Sequence, residues 1–367
     1  MFLHVADSLF AAVPLRYRRL AASAARRGDT FTIVTPQSFP SLRRINPIYF
    51  VLLLPFLAAI RLWRGRDRAE VAIFHSYAGW VFSLFKGRVR IITSFHGFEP
   101  LYFLQLRNLA RAQGHDLTLR YRIVYGWLVP RLCKLAVRRS DLVLCQTVEE
   151  VNYLIDQGWA TLDHVSRLEA GVPSMFFSEH RAYPPRARRL LMVSQWREAK
   201  GVLYAVEAFA TLVRGGADVE MWCAGTRQTD EVVLGAFPED VRDRVRNYAN
   251  VPHSTMADIY RQCDIFLHPS MSEGSSHAQL EAMASGLPMI ATATAPAVDL
   301  LVDGAGFLRI PKRDAASIVR AVTTLLDDVT LRTRLGQTAQ RAARNVTAES
   351  ADAKFLALLD GLVPAKA

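Results

Sequence analysis

Residues 269–292 read PSMSEGSSHAQLEAMASGLPMIAT, and this stretch carries the fold assignment. It follows one apolar run, Asp264–His268 (DIFLH), and closes in another, Pro288–Ala293 (PMIATA). Short continuous apolar runs are what strands become when both faces of a sheet are covered. Between them, Ser276 and Gln279 have the S-x-x-Q spacing of a capping box, which marks a helix start. Gly286 followed by Pro288 marks the helix end. Glu273, Gly274, Ser275 and Ser276 therefore form a strand-to-helix turn. Free backbone N–H groups and the positive end of the helix dipole converge there, and Gly274 lets a ligand approach the backbone. This is a phosphate cradle. Glu281 lies about five residues into the helix, roughly 7.5 Å along its axis. Glu273 and Glu281 thus flank an anion site at different depths.

Outward from this segment the same alternation continues. Arg189–Ser194 and Asp218–Ala224 read as strands, and Lys200–Arg214, Thr255–Cys263 and Ser276–Ala284 as helices. The first half repeats the pattern, with strands Phe2–Val5, Thr30–Val34, Val71–Phe74, Arg90–Ser94 and Asp141–Cys145 and helices such as Arg16–Arg27 and Tyr121–Val137. Strands alternating with helices predict an α/β fold with parallel sheets. His180–Arg188 (HRAYPPRAR) has a Pro-Pro pair and no apolar pattern, so the join between two domains is placed there. The expected domains are residues 1–180 and 181–346. Residues 347–367 hold a terminal helix, Thr347–Leu362, whose partner the pattern does not identify. A chain of 367 residues suits two such domains.

Composition narrows the function classes. Hydrophobic residues at 51% and charged residues at 22% exclude a mostly disordered chain. The four cysteines, Cys133, Cys145, Cys223 and Cys263, form no CxxC, so neither a disulfide framework nor a zinc site is expected, and free thiols fit a reducing compartment. Phe2–Val5 runs at once into Asp7 and Ser8, unlike a secretory signal. No G-x-G-x-x-G follows the first strand, which argues against a nicotinamide-dependent oxidoreductase.

The net charge of +11 is uneven: residues 1–180 hold 23 basic and 13 acidic residues, hence +10, and the remainder 22 and 21, hence +1. An anionic partner of the first domain explains this, and so does an arginine-rich composition as such. No recognition motif supports nucleic acid. Pro47–Ile60 is nearly all apolar, interrupted by Pro55 and bracketed by Arg43, Arg44, Arg61 and Arg64. It is shorter than the roughly 20 residues a spanning helix needs. It reads either as a buried helix or as a helix in a membrane interface, with Trp63 and the arginines at headgroup level.

The order E-G-x6-E-A-x-A-x-G-x-P-x-I-A, carried by Glu273, Gly274, Glu281, Gly286 and Pro288, resembles the E-x7-E signature of retaining glycosyltransferases of GT-B fold, in particular glycosyltransferase family 4. Val193–Gly201 (VSQWREAKG) is similar to the family's G-R-L-x3-K-G, with Lys200 and Gly201 in place, Ser194 at its glycine and Gln195 at its arginine. His96 in SFHGFEP resembles the family's histidine beside the donor sugar or reacting phosphate. The first strand-to-helix loop departs from the family, with Ala11 to Pro14 where a Gly-Gly pair is common.

The resemblance implies two Rossmann-like α/β/α domains facing each other across a cleft, with the terminal helix crossing back to the first domain. It implies retaining, metal-independent transfer from a nucleotide-sugar donor to a glycan or lipid-linked acceptor, without a cofactor. Such a chain is expected in the cytoplasm, at the inner face of the membrane, in cell-surface polysaccharide or glycolipid assembly. Glu273, His96 and Lys200 are the implied catalytic residues. Gln195, Arg197, Lys200, Gly274, Ser275, Ser276 and Glu281 are the implied donor contacts, with Val251 and Pro252 at the base. The first domain would face the acceptor, with Arg16, Arg18, Arg19, Arg43, Arg44, Arg61 and Arg64 toward an anionic surface. The different-class alternative is a catalytically silent sugar-nucleotide-binding protein on the same fold.

Overall fold

The computed structural model describes residues 2–6, 20, 25, 30–34, 47–64, 70–95, 97–112 and 114–362. Contacts divide the chain into two compact units, Met1–Ala170 with Ser350–Ala367, and Gly171–Glu349. Each is built on one six-stranded, wholly parallel sheet.

In the first unit the strands are β1 (Phe2–Ala6), β2 (Thr30–Val34), β3 (Val71–His75), β4 (Arg90–Ser94), β5 (Leu142–Cys145) and β6 (Val165–Arg167). Their order is β2-β1-β3-β4-β5-β6. Val71, Ile73, Ile92 and Leu144 cover one face of this sheet with Phe355 and Leu359 of the terminal helix Ala348–Leu362. Ala72, Phe74 and Ile91 cover the other with Ala58 and Leu62 of the helix Pro47–Trp63. Alternate side chains of one strand thus serve opposite layers, which is why these strands read as unbroken apolar runs.

The second unit has β7 (Arg189–Val193), β8 (Glu220–Ala224), β9 (Val245–Tyr248), β10 (Ile265–His268), β11 (Met289–Thr292) and β12 (Leu308–Ile310). Their order is β12-β11-β10-β7-β8-β9. The chain starts at β7, winds one way to β9, then returns to β10 on the other side. The order therefore reverses between β7 and β10, and loops at the carboxyl ends of those two strands open away from each other. Such a switch point is where ligands bind in open α/β sheets.

Sequence reasoning missed β6, β9 and β12. All three are edge strands, paired on one side only, and their residues VSR, VRNY and LRI mix polar with apolar. Of the expected helix Arg16–Arg27 only Leu20 and Ala25 are described, both helical. The domain boundary also falls earlier than the expected 180/181, between Ala170 and Gly171. The expected linker is fastened to the second unit. Phe176 is fully buried, and its carbonyl accepts from Ser285 Oγ at 3.0 Å. Arg181 donates to the carbonyls of Tyr260, Cys263 and Ser285. The Pro184–Pro185 carbonyls accept from Arg332, a fully buried guanidinium. A Pro-Pro pair offers free carbonyls but no N–H, and a buried arginine fork satisfies them.

Helix Pro47–Trp63 meets neither expectation alone. Leu54, Ala58 and Leu62 are buried, while Leu53, Phe56, Ile60 and Trp63 on its other face are 41–54% exposed. Among the described residues, no helix is long and apolar enough to cross a membrane.

Candidate functional site

The polar groups of the second unit gather at the carboxyl ends of β7 and β10. After β7 the chain makes a 3-10 turn, Glu198–Lys200, and Gly201 opens the helix Val202–Arg214. After β10 it passes through Pro269–Ser276 into the helix His277–Ala284. Ala199 O accepts from Met271 N–H at 2.8 Å and from Ser270 Oγ at 3.3 Å. Thr292 Oγ1, at the end of β11, holds Ser270 O at 2.6 Å. Gly201 has φ +74°, and a Cβ there would lie 2.1 Å from Pro269 O. The two loops are thus in backbone contact, and Gly201 is what permits it.

This junction brings Lys200 and Glu273 together. Lys200 Nζ is 2.7 Å from both carboxylate oxygens of Glu273. His268 Nε2 lies 2.9 Å from Glu273 Oε1. An ionised carboxylate only accepts, so the proton sits on Nε2. Burial alone would push the Glu273 carboxyl up. The hydrogen bond and charge of His268, then the Lys200 ammonium, overcome this and hold it at about 2. Glu273 is therefore a carboxylate at neutral pH. His268 ends β10 and lacks a motif of its own; its role follows only from the turn that folds Glu273 back over it.

Glu281 lies in the helix and is 8% exposed. His253 Nε2 is 3.1 Å from its Oε1, and Tyr260 donates to Oε2 at 2.9 Å. Both partners come from the helix His253–Gln262, which Val251 and Pro252 lead into. The fully buried ring of Phe176 packs edge-on against His253 and Tyr260. Burial, and then the Glu281 carboxylate, push the Tyr260 hydroxyl far up, so it remains a donor.

Two local expectations are corrected. Ser276 caps the helix by accepting from Gln279 N–H, but Gln279 does not reciprocate. Its buried amide instead donates to Thr294 Oγ1 at 3.0 Å and accepts from Ala297 N–H at 3.0 Å, tying the helix to the loop after β11. Of the three cradle amides, Ser276 N–H is engaged by Ala295 O at 3.3 Å. Among the described residues, Gly274 and Ser275 N–H have no hydrogen-bond partner. Gln195 is half-buried and Arg197 exposed, on the same β7 loop.

In the first unit, His96 lies outside the described residues, as do Ala11–Pro14, Arg16, Arg18, Arg19, Arg43 and Arg44. The residues around His96 are described. Gly97 has φ +135°, a conformation that favours glycine. Glu99 opens the next helix and accepts from Ser76 Oγ at 2.6 Å. Burial pushes its carboxyl up to about 7, against that hydrogen bond. His75, at the end of β3 and 3.9 Å away, is pushed down to about 4 by burial. Ser76 is held at φ +52°, a strained conformation for serine.

Residues 177–342 match the family described as Glycosyl transferases group 1. A D-inositol 3-phosphate glycosyltransferase of Xylanimonas cellulosilytica is 26% identical over 381 residues, covering 92% of this chain and 88% of that protein. A protein of the same description from Corynebacterium efficiens aligns over 55% of its own length. Among solved structures, the sucrose-phosphate synthase of Thermosynechococcus elongatus superposes with a TM-score of 0.78 at 17% identity, over 99% of both chains. Anabaena Alr3699/HepE in complex with UDP superposes with a TM-score of 0.70 at 12% identity, over 98% of this chain and 100% of that one. These likenesses carry the GT-B fold.

Proposed function

We propose, from the match of residues 177–342 to the family described as Glycosyl transferases group 1, that the chain moves a sugar from a nucleoside-diphosphate donor to a glycan or lipid-linked acceptor, with retention at the anomeric carbon. One observation carries this reading: Lys200 Nζ and the Glu273 carboxylate meet at the switch point of the second sheet. Departure of a nucleoside diphosphate concentrates negative charge on its phosphate oxygens. Fixed donors aimed at that charge supply the largest share of such catalysis. Lys200, with the amides of Gly274 and Ser275, supplies it from the chain itself, and transfer is expected to proceed unchanged in EDTA. Glu273, ionised, holds sugar hydroxyls or stabilises oxocarbenium charge and has no proton to give as an acid. Glu281, steadied by His253 and Tyr260, accepts from the ribose hydroxyls. His96 acts on the donor sugar or phosphate, and Gln195, Arg197, Val251 and Pro252 line the donor. The acceptor lies with the basic first unit, in peripheral contact with the inner face of an anionic membrane, during assembly of a cell-surface glycan or glycolipid. UDP in the Alr3699/HepE complex supports a nucleotide donor.

Thermal shift against UDP, GDP and their sugars tests the reading. A nucleotide at 100 times its dissociation constant adds about 2.7 kcal/mol of stability. No shift with any of them counts against the whole function. Glu281→Ala is expected to raise the donor dissociation constant at least ~10-fold, since a hydrogen bond to a charged group contributes roughly 1.5–3 kcal/mol. Unchanged affinity would remove the ribose assignment. Gln195 in place of the family arginine favours one alternative, a silent sugar-nucleotide binder. Nucleotide shifts without donor hydrolysis or transfer would select it.

A further inference from the structure

Helix Pro47–Trp63 is apolar on both sides. Its inner stripe, Leu54, Ala58 and Leu62, packs on β3 and β4. Its outer stripe, Leu53, Phe56, Ile60 and Trp63, recurs at helical spacing and is exposed. Beside it Leu84 and Phe85 are 42% and 62% exposed. Phe56, Ile60, Trp63 and Phe85 wall a cavity of about 260 Å³, floored by the buried Val81 and Phe82. Among the described residues, no polar side chain lines it. A helix apolar all round belongs inside a large core or in lipid, and a contiguous apolar patch of this kind marks an interaction surface.

Charge identifies the occupant. Arg61 and Arg64 stand at the end of the outer stripe, and Arg88 lies three residues beyond Phe85. All three are exposed, and among the described residues none makes an ion pair. A two-fold contact between copies of this face would set its arginines near their own equivalents. An anionic leaflet presents acyl chains to the stripe and phosphates to the arginines. At 17 residues the helix is about 25 Å long, too short to span and long enough to lie in the interface.

We infer that the outer face of helix Pro47–Trp63 docks in the interface of an anionic membrane, with an acyl chain entering the cavity between Phe56, Ile60, Trp63 and Phe85. This rests on the proposed peripheral membrane contact and names its surface. The test is co-sedimentation of the full chain with phosphatidylglycerol/phosphatidylcholine vesicles and with phosphatidylcholine alone. Wild type should bind the anionic vesicles, and less so as salt is raised. A Phe56→Ser/Ile60→Ser variant should lose at least ~10-fold in partitioning, from the apolar area withdrawn. An Arg61→Ser/Arg64→Ser variant should lose about 30-fold on anionic vesicles only. Arg61 and Arg64 are exposed, whereas Phe56 is half-exposed and rests edge-on against Trp80, so both variants should keep the wild-type UDP shift and only the Phe56→Ser/Ile60→Ser variant should melt slightly lower. If Phe56→Ser/Ile60→Ser binds like wild type, this surface is overturned while membrane contact elsewhere stands. No vesicle binding by wild type overturns surface and contact together, as does self-association that the same variant abolishes. Vesicle binding without any nucleotide shift leaves the surface standing and sinks the glycosyl-transfer reading instead.

Discussion

Lys200→Ala is expected to lower kcat/KM for the nucleotide-sugar donor by roughly 10²–10³-fold, the cost of removing one placed charge-stabilising donor. Lys200 Nζ lies 2.7 Å from both oxygens of Glu273, so its loss acts twice. On the proposed function the leaving diphosphate loses its cation, and Glu273 keeps only His268 against burial. Lys200→Arg should rescue little, because a planar fork does not replace a compact ammonium in a half-buried turn. Steady-state kinetics of both variants decide this, and rates within about threefold of wild type would remove the role. A second readout is acid unfolding. The folded Glu273 carboxyl sits at about 2 against its ordinary 4.5. Its ionised form therefore contributes stability that is present above about pH 4.5 and fades as pH falls toward 2. Without Lys200 the carboxyl rises toward its ordinary value, so that contribution shrinks and is exhausted at a higher pH.

Gly201→Ala is expected to cost on the order of 4 kcal/mol. The left-handed conformation costs a side chain about 1–2 kcal/mol, and overpacking roughly 1–3 more. Here the obstacle is rigid. The new Cβ would lie 2.1 Å from Pro269 O, and Pro269 cannot recede while Ser270 O is held by Thr292 and Met271 N–H by Ala199. Urea unfolding measures the effect. Gly235→Ala, where nothing lies within 4 Å of the added carbon, is the control and should be neutral or slightly stabilising. Equal midpoints for the two variants would show that the loop junction yields.

The stretch Pro269–Thr292 announced its own strands, turn and helix because every signal in it is local: apolar runs, a cap, a glycine and a proline stop. The same holds for the central strands, buried on both faces. The edge strands β6, β9 and β12 were illegible because one-sided pairing leaves them polar. Helix Pro47–Trp63 reads as one apolar run, and only packing separates its buried stripe from its exposed one.

The site divides along the same line. Glu273, Glu281 and Lys200 are legible as residue types at turns and on a helix. That Lys200 pairs with Glu273, 73 positions away, is not. It depends on β10 returning beside β7 after the chain has wound out to β9, which is long-range sheet order and leaves no periodicity. His268 becomes a partner through the turn that folds Glu273 back over the end of β10, and Gln279 a cross-link rather than a cap because the loop after β11 lies against its helix. Hydrophobic periodicity records what each segment covers, so the alternating α/β plan and the strand-to-helix turn before Ser276 were written in the chain. The pairing of charges waits on which strands become neighbours, and the sheet alone decides that.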